Sequence, residues 1–222
     1  AVHGAGAASS LRFADCQFSS NEAGVAGGAI ASSAAVAVLR SGFRSNSAAD
    51  AGALALIGPF GQGRVDACRF DFNTAAGAAA AIMIGAQSSG SSATIVDTVV
   101  AHNTVAFGGG AILESALGGH LELVNSTVAD NVGGGLRIDN GASQSVVANS
   151  IVWGNTSGDE IDGVMPTVRF SAVQGGAPGV GNLDADPLFS NPAAGNYALT
   201  AGSPCIDAGR NWSVPRDVLD LD

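Results

Sequence analysis

Val65-Asp66-Ala67-Cys68-Arg69-Phe70-Asp71-Phe72-Asn73 is one copy of a phrase that recurs along the chain. Its frame is Cys, Ser or Thr, one residue, Phe or Val, two residues, then Asn. The six copies are Cys16/Phe18/Asn21, Ser41/Phe43/Asn46, Cys68/Phe70/Asn73, Thr98/Val100/Asn103, Ser126/Val128/Asn131 and Ser150/Val152/Asn155, with asparagines 25, 27, 30, 28 and 24 residues apart. Self-similarity at such a period is the mark of a solenoid, in which each repeat buries its apolar face only against its neighbours.

Eight residues before each Asn stands a larger apolar residue: Phe13, Val38, Val65, Ile95, Leu123 or Val147. It lies five positions before the Phe/Val site, an odd separation that would send the two to opposite faces of one strand. For both to face inward the chain must turn between them, at Asp15, Arg40, Ala67, Asp97, Asn125 and Asn149. Four of those six are Asp or Asn, which tolerate left-handed backbone angles. A second bend is expected at the repeated Asn. A Gly/Ala-rich approach then leads to a third apolar anchor: Ile30, Leu54, Ile82, Ile112, Leu136 or Ile161.

Each repeat therefore reads as three short strands and their corners, closing one coil. The fold class expected is all-β: a right-handed, single-stranded parallel β-helix of about six coils with a C-terminal capping segment. The hand follows the general preference of parallel crossovers. Like residues then stack, and Asn21, Asn46, Asn73, Asn103, Asn131 and Asn155 form a hydrogen-bonded ladder. The repeats occupy residues 1–157. Residues 158–222, with turn-rich phrases such as Asp184-Ala185-Asp186-Pro187 and Gly202-Ser203-Pro204, read as the last coil and a cap continuous with the solenoid. Such a cap shields the apolar end of the stack.

The rest of the 222-residue composition agrees with thin stacked layers: 46% of residues are hydrophobic, aromatics are only 5%, and Ala and Val dominate. There are 9 Lys+Arg, none of them lysine, against 19 Asp+Glu, for a net charge of −10. That balance argues against nucleic acid as a partner. The longest nearly apolar run, residues 75–86, is too short to cross a bilayer that needs about twenty residues, so no membrane insertion is expected. The chain opens at Ala1 without a basic or hydrophobic leader, as a processed or truncated chain would. Cys16, Cys68 and Cys205 have no metal-ligand spacing. Cys16 and Cys68 share a repeat position two coils apart, about 9.6 Å, beyond disulfide reach, so free buried thiols are expected.

Gly27-Gly28-Ala29-Ile30 and Gly109-Gly110-Ala111-Ile112, with Phe18-x-x-Asn21, Phe43-x-x-Asn46 and Phe70-x-x-Asn73, resemble the paired repeats of chlamydial polymorphic outer membrane proteins, which are surface adhesins. The tail phrases Asp-Pro-Leu-Phe, Gly-Asn-Tyr-Ala-Leu and Ser-Pro-Cys-Ile-Asp-Ala-Gly are similar to the end of bacterial secreted parallel β-helix proteins of the choice-of-anchor kind. The resemblance implies an extracellular or bacterial cell-surface setting. It implies no particular activity, because this architecture carries lyases, hydrolases, tailspikes and adhesins alike.

Arg137 flanks Leu136 and Ile138 and is expected to point outward, beside Asp139, with Glu114 one coil below and Asp162 one above. Together they make a binding subsite or lyase centre, in which a cation neutralises a uronate carboxylate and a base takes a proton. The plainer alternative is a surface salt bridge. His102 in a corner, His120 in a Gly-Gly loop and terminal His3 read as solvated loop residues. Asp159, Glu160 and Asp162 are candidates for paired carboxylates of glycoside hydrolysis or, more simply, a turn of solvated acids. No cofactor is expected. Calcium is the one metal considered, at Asp217, Asp220 and Asp222 or at Asp184 and Asp186, without the ordered spacing of a calcium loop.

Ala31, Ala55, Met83 and Leu113 follow the third anchors, and Ala29, Ala53, Ala81 and Ala111 precede them. Both sets are expected on a flat outward strip suited to self-association, unless the register is off by one and the alanines line the core. The functional expectation is an adhesive or structural module that binds polysaccharide or another cell-surface ligand without catalysis. The alternatives are a polysaccharide lyase or glycoside hydrolase acting on acidic polysaccharide, and a trimeric phage-type fibre.

Overall fold

The computed structural model describes residues 2–4, 10–57, 62–85, 90–115, 117–139 and 144–211. It is a parallel β-solenoid built on three seven-stranded sheets. Sheet A contains Val2–Gly4, Ile30–Ser32, Leu54–Leu56, Ala79–Ile84, Gly110–Glu114, Leu136–Ile138 and Ile161–Gly163. Sheet B runs from Ser10–Ala14 to Thr167–Arg169, and sheet C from Gln17–Ser19 to Ala172–Val173. A narrow fourth sheet, D, joins Glu22–Ala23, Ser47–Ala48, Thr74–Ala75 and Thr104–Val105. Each main sheet holds one strand more than the six repeats. Val2–Gly4 precedes the first copy on sheet A, and Thr167–Arg169 and Ala172–Val173 follow the last on B and C.

The register puts like over like. Phe13, Val38, Val65, Ile95, Leu123, Val147 and Val168 form one column. Phe18, Phe43, Phe70, Val100, Val128, Val152 and Val173 form another. Both columns and the third anchors meet in one continuous core. Phe43 and Phe70 stack with ring centroids 4.4 Å apart, and Phe18 continues the pile at 4.7 Å. The corner between the first two columns falls where the odd spacing demands it. Asp15, Arg40, Ala67, Asp97, Asn125 and Asn149 all take left-handed backbone, with φ from 45° to 56°. The second corner is one residue earlier than expected: Ser20, Ser45, Phe72, His102 and Asp130 carry the positive φ, near 55° to 57°. The Asn that follows is thereby turned inward, where its amide meets the next coil.

The asparagine ladder runs unbroken. Nδ2 donates to Oδ1 of the next Asn at 2.8 Å from Asn21 to Asn46, 2.9 Å from Asn46 to Asn73 and 2.8 Å from Asn73 to Asn103. It continues at 2.9 Å from Asn103 to Asn131 and 2.8 Å from Asn131 to Asn155. Each Oδ1 also accepts the preceding asparagine's backbone N–H. Glu160 ends the column: its carboxylate accepts both the backbone N–H and the side-chain amide of Asn155. The Cys/Ser/Thr position makes a second ladder, in which each side chain accepts the backbone N–H of the coil before, from Cys16 N to Ser41 Oγ through to Ser150 N to Ser171 Oγ. Asn182 Oδ1 closes it by accepting from Ser171 N at 3.2 Å. Buried donors are thus satisfied coil by coil, as a solenoid interior requires. All three cysteines are free; Cys68 is buried, while Cys16 and Cys205 are half-buried.

The expected outward strip is corrected in two ways. Ala29, Ala53, Ala81 and Ala111 belong to the main core. Ala31, Ala55, Met83 and Leu113 do lie on the opposite side of sheet A, but they are buried in a small cluster of their own with Ala51 and Ala79, against Ala26, Ile57 and Ala78. The chain's own turns cover them, so they present no flat exposed surface.

Candidate functional site

The column that begins Ala31, Ala55, Met83, Leu113 continues as Arg137 and Asp162. The outer face of sheet A therefore changes from apolar to charged in its last two coils. Arg137 Nε donates to Asp139 Oδ1 at 2.7 Å, and Nη1 donates to Gly108 O at 2.6 Å and Asp162 Oδ2 at 3.3 Å. The Asp139 carboxylate holds the guanidinium more firmly in its charged form than usual. The structure thus brings together Arg137, Asp139 and Asp162, beside a depression of about 250 Å³ walled by Gly108, Gly133 and Asp159.

Glu114 does not join them. Arg137 is in register with Leu113, so Glu114, one residue on, pairs with Ile138 and turns to the opposite face by the period of two. It is fully buried, in a column with Leu56, Ile84 and Ile138. The four-residue centre does not assemble, and Arg137 spends its donors on two carboxylates and a carbonyl of its own fold.

The other acids divide in the same way. Glu160 closes the ladder rather than facing a partner carboxylate. Burial pushes its carboxyl above the ordinary range, against the pull of the Asn155 donors. Asp184 Oδ1 accepts from Gly175 N at 3.0 Å, and Asp186 Oδ1 from Leu188 N at 2.9 Å, so both shape turns. Among the described residues, no group of three or more His, Cys, Asp or Glu stands together as a metal site. Asp217, Asp220 and Asp222 lie outside the described residues. His120 is not in a loop; it opens the sheet B strand His120–Val124, with its side chain exposed.

A further polar cluster lies on the outer face of sheet C. The tail forms an antiparallel hairpin, Phe189–Asn191 with Asn196–Leu199, around a 3-10 turn Pro192–Ala194. Tyr197 packs on Ala101 and Ala129, neighbours in one outward column of sheet C, with Val99 and Phe189 at its edges. Its hydroxyl donates to Asp130 Oδ2 at 2.8 Å and lies 3.4 Å from His102 Nε2. Burial, then the bond to Asp130, raises the phenol far above its usual range, so Tyr197 keeps its proton and acts as a donor. The His102 ring stacks on Phe72 at 4.9 Å, and the Arg44 guanidinium sits 4.6 Å from the Phe72 centroid. Arg44, Phe72 and His102 thus form a stack that starts in the second coil, and Tyr197 of the tail meets its end with the ring tilted by 46° at 6.0 Å.

This arrangement was only half legible. Phe72, His102 and Asp130 each precede a ladder Asn, so their column follows from the repeat. Tyr197 comes from a segment with no repeat, 95 residues from His102, and no spacing signals that contact. None of the described tail residues lines the groove on the first coils. This open groove of about 510 Å³ is lined by Gln17, Arg40, Arg44, Arg69 and Asp71. A smaller cleft of about 340 Å³ lies between Arg44, Arg69, Asp71 and Phe72 on the solenoid and Ala193, Ala194 and Gly195 on the tail. Comparison with family models, curated proteins and solved structures gives no match.

Proposed function

We propose that this chain is a secreted or cell-surface bacterial solenoid that serves as an adhesive and structural module, binding polysaccharide without chemistry of its own. The observation that carries this reading is the groove beside the tail hairpin, where Arg40, Arg44 and Arg69 gather on one face of a chain whose net charge is −10. The groove is open and carried on a doubly laddered scaffold, so a bound polymer meets a backbone that is already fixed and loses little to reordering it. The resemblance to surface adhesins supports the same setting. Guanidinium groups suit oxyanion-bearing ligands, because their donors are planar and paired.

The test is a glycan-array screen run beside lyase and hydrolase assays on the same preparation, with light scattering for oligomeric state. Retention of glycans with neither unsaturated products nor new reducing ends is the expected outcome. Turnover would overturn the reading in favour of an enzyme, and a trimer that binds no glycan would favour a fibre.

A further inference from the structure

The cleft at the end of the tail hairpin has a charge pattern that narrows its ligand. Arg40 grips Asp15 through two donors at 2.8 and 2.7 Å. Arg64 is paired with Asp66, and Arg137 with Asp139 and Asp162. Arg69 forms a two-point bond to Asp71, which neutralises it. Arg44, like Arg210 over Phe170, forms no ion pair among the described residues, and its guanidinium lies over Phe72, itself stacked on His102. The cleft wall therefore carries one uncompensated, pre-oriented positive charge next to a neutral pair that offers donors and acceptors side by side.

The opposite wall is set by the tail turn. Gly195 adopts φ 76° at the end of Pro192–Ala194, and a Cβ there would come within 2.9 Å of Arg69 Nη2. The left-handed φ is what favours glycine there, and the turn lies directly against the guanidinium. The resulting space of about 340 Å³ lies at the lower end of ligand-site volumes, enough for one sugar ring rather than a chain segment of several.

We infer that this cleft is a carboxylate-reading saccharide subsite, which takes a single uronic-acid ring with its carboxylate on Arg44 and its hydroxyls against the Arg69–Asp71 pair. The single net charge matches a monoanion. The planar guanidinium matches the two oxygens of a carboxylate. A mixed donor–acceptor wall matches vicinal hydroxyls, which donate and accept alike. This rests on the binding-module reading and gives it a ligand class.

The experiment is isothermal titration of the full chain with a short oligogalacturonate, its methyl ester and an Asp/Glu hexapeptide, using wild type, Arg44→Ala and Arg64→Ala. Binding of the acid form is expected, weakened about tenfold or more by esterification and by Arg44→Ala, in keeping with loss of a charge-assisted pair. Arg64→Ala, on sheet B and outside both the groove and the cleft, is expected to bind within about twofold of wild type. The subsite is refuted if the ester binds as well as the acid, if Arg44→Ala is silent, if the peptide competes equally, or if wild type gives no heat with the acid form. Retention of neutral glycans on the array, with no heat from the uronate, would sink the subsite and leave the module reading standing.

Discussion

Asn103 sits in the middle of the ladder, fully buried, and its replacement by alanine tests the energetic core of this fold. Its Oδ1 accepts from Asn73 N at 2.9 Å and Asn73 Nδ2 at 2.8 Å. Its own Nδ2 donates to Phe70 O at 2.9 Å, Ala101 O at 3.0 Å and Asn131 Oδ1 at 2.9 Å. Truncation leaves the Asn73 backbone N–H without its acceptor, and one Asn73 amide hydrogen as well, both out of reach of water. Orphaned buried donors cost about 1–3 kcal/mol each, so with the void the loss comes to about 3–5 kcal/mol. Asn21→Ala at the first coil removes bonds of the same chemistry. There, however, Asn46 Oδ1 still accepts Asn21 N, no donor among the described residues is stranded, and the cost is that of one net hydrogen bond, about 1 kcal/mol. Urea unfolding of both variants, followed by far-ultraviolet circular dichroism, reads the difference directly. Equal losses in the two variants, or less than about 1 kcal/mol for Asn103→Ala, would refute the claim that the ladder holds the coils through satisfaction of buried donors.

Tyr197→Phe removes the hydroxyl that reaches Asp130 while keeping the ring on Ala101 and Ala129. A loss of about 1–3 kcal/mol is expected, seen as earlier proteolysis of the tail, and unchanged cleavage would show that the ring alone docks it. Glu160 gives a pH dependence of definite sign. Burial raises its carboxyl above the ordinary 4.5, so the folded state holds the proton more tightly than the unfolded chain. Its contribution to stability is present below about pH 4.5 and falls as pH rises through the folded value. Melting temperatures of Glu160→Gln between pH 4 and 8 should lack that slope, and an identical slope in both proteins would locate the effect elsewhere. Burial also raises the Cys68 thiol, so it should react with a thiol reagent in native protein far more slowly than after denaturation. Native labelling of Cys68 at the denatured rate would contradict its packing.

The repeat was the legible part, because a solenoid writes each contact into the sequence at one period. The odd spacing from Val65 to Phe70 required a corner, and Ala67 takes left-handed backbone despite its unfavourable side chain, with φ 51°. The second corner was misplaced by one residue, since Asn is the residue type that tolerates such angles best, yet here Phe72 and His102 bear them so that Asn73 and Asn103 can face inward. Glu114 was misread for a related reason. A one-residue slip reverses the face of a strand, and the run Ile112-Leu113-Glu114 offers no alternation to fix it.

The amino-acid order alone determined the stacking, the six-membered asparagine column and the free cysteines, because neighbours in this solenoid recur every 24 to 30 residues with the same local phrase. Only the tertiary structure decided which outward residues stay exposed. The turns that bury Ala31, Ala55, Met83 and Leu113, and the hairpin that sets Tyr197 over His102 and Gly195 beside Arg69, belong to no period. Contacts of that kind depend on how a non-repeating segment folds back across several coils, and local spacing carries no record of it.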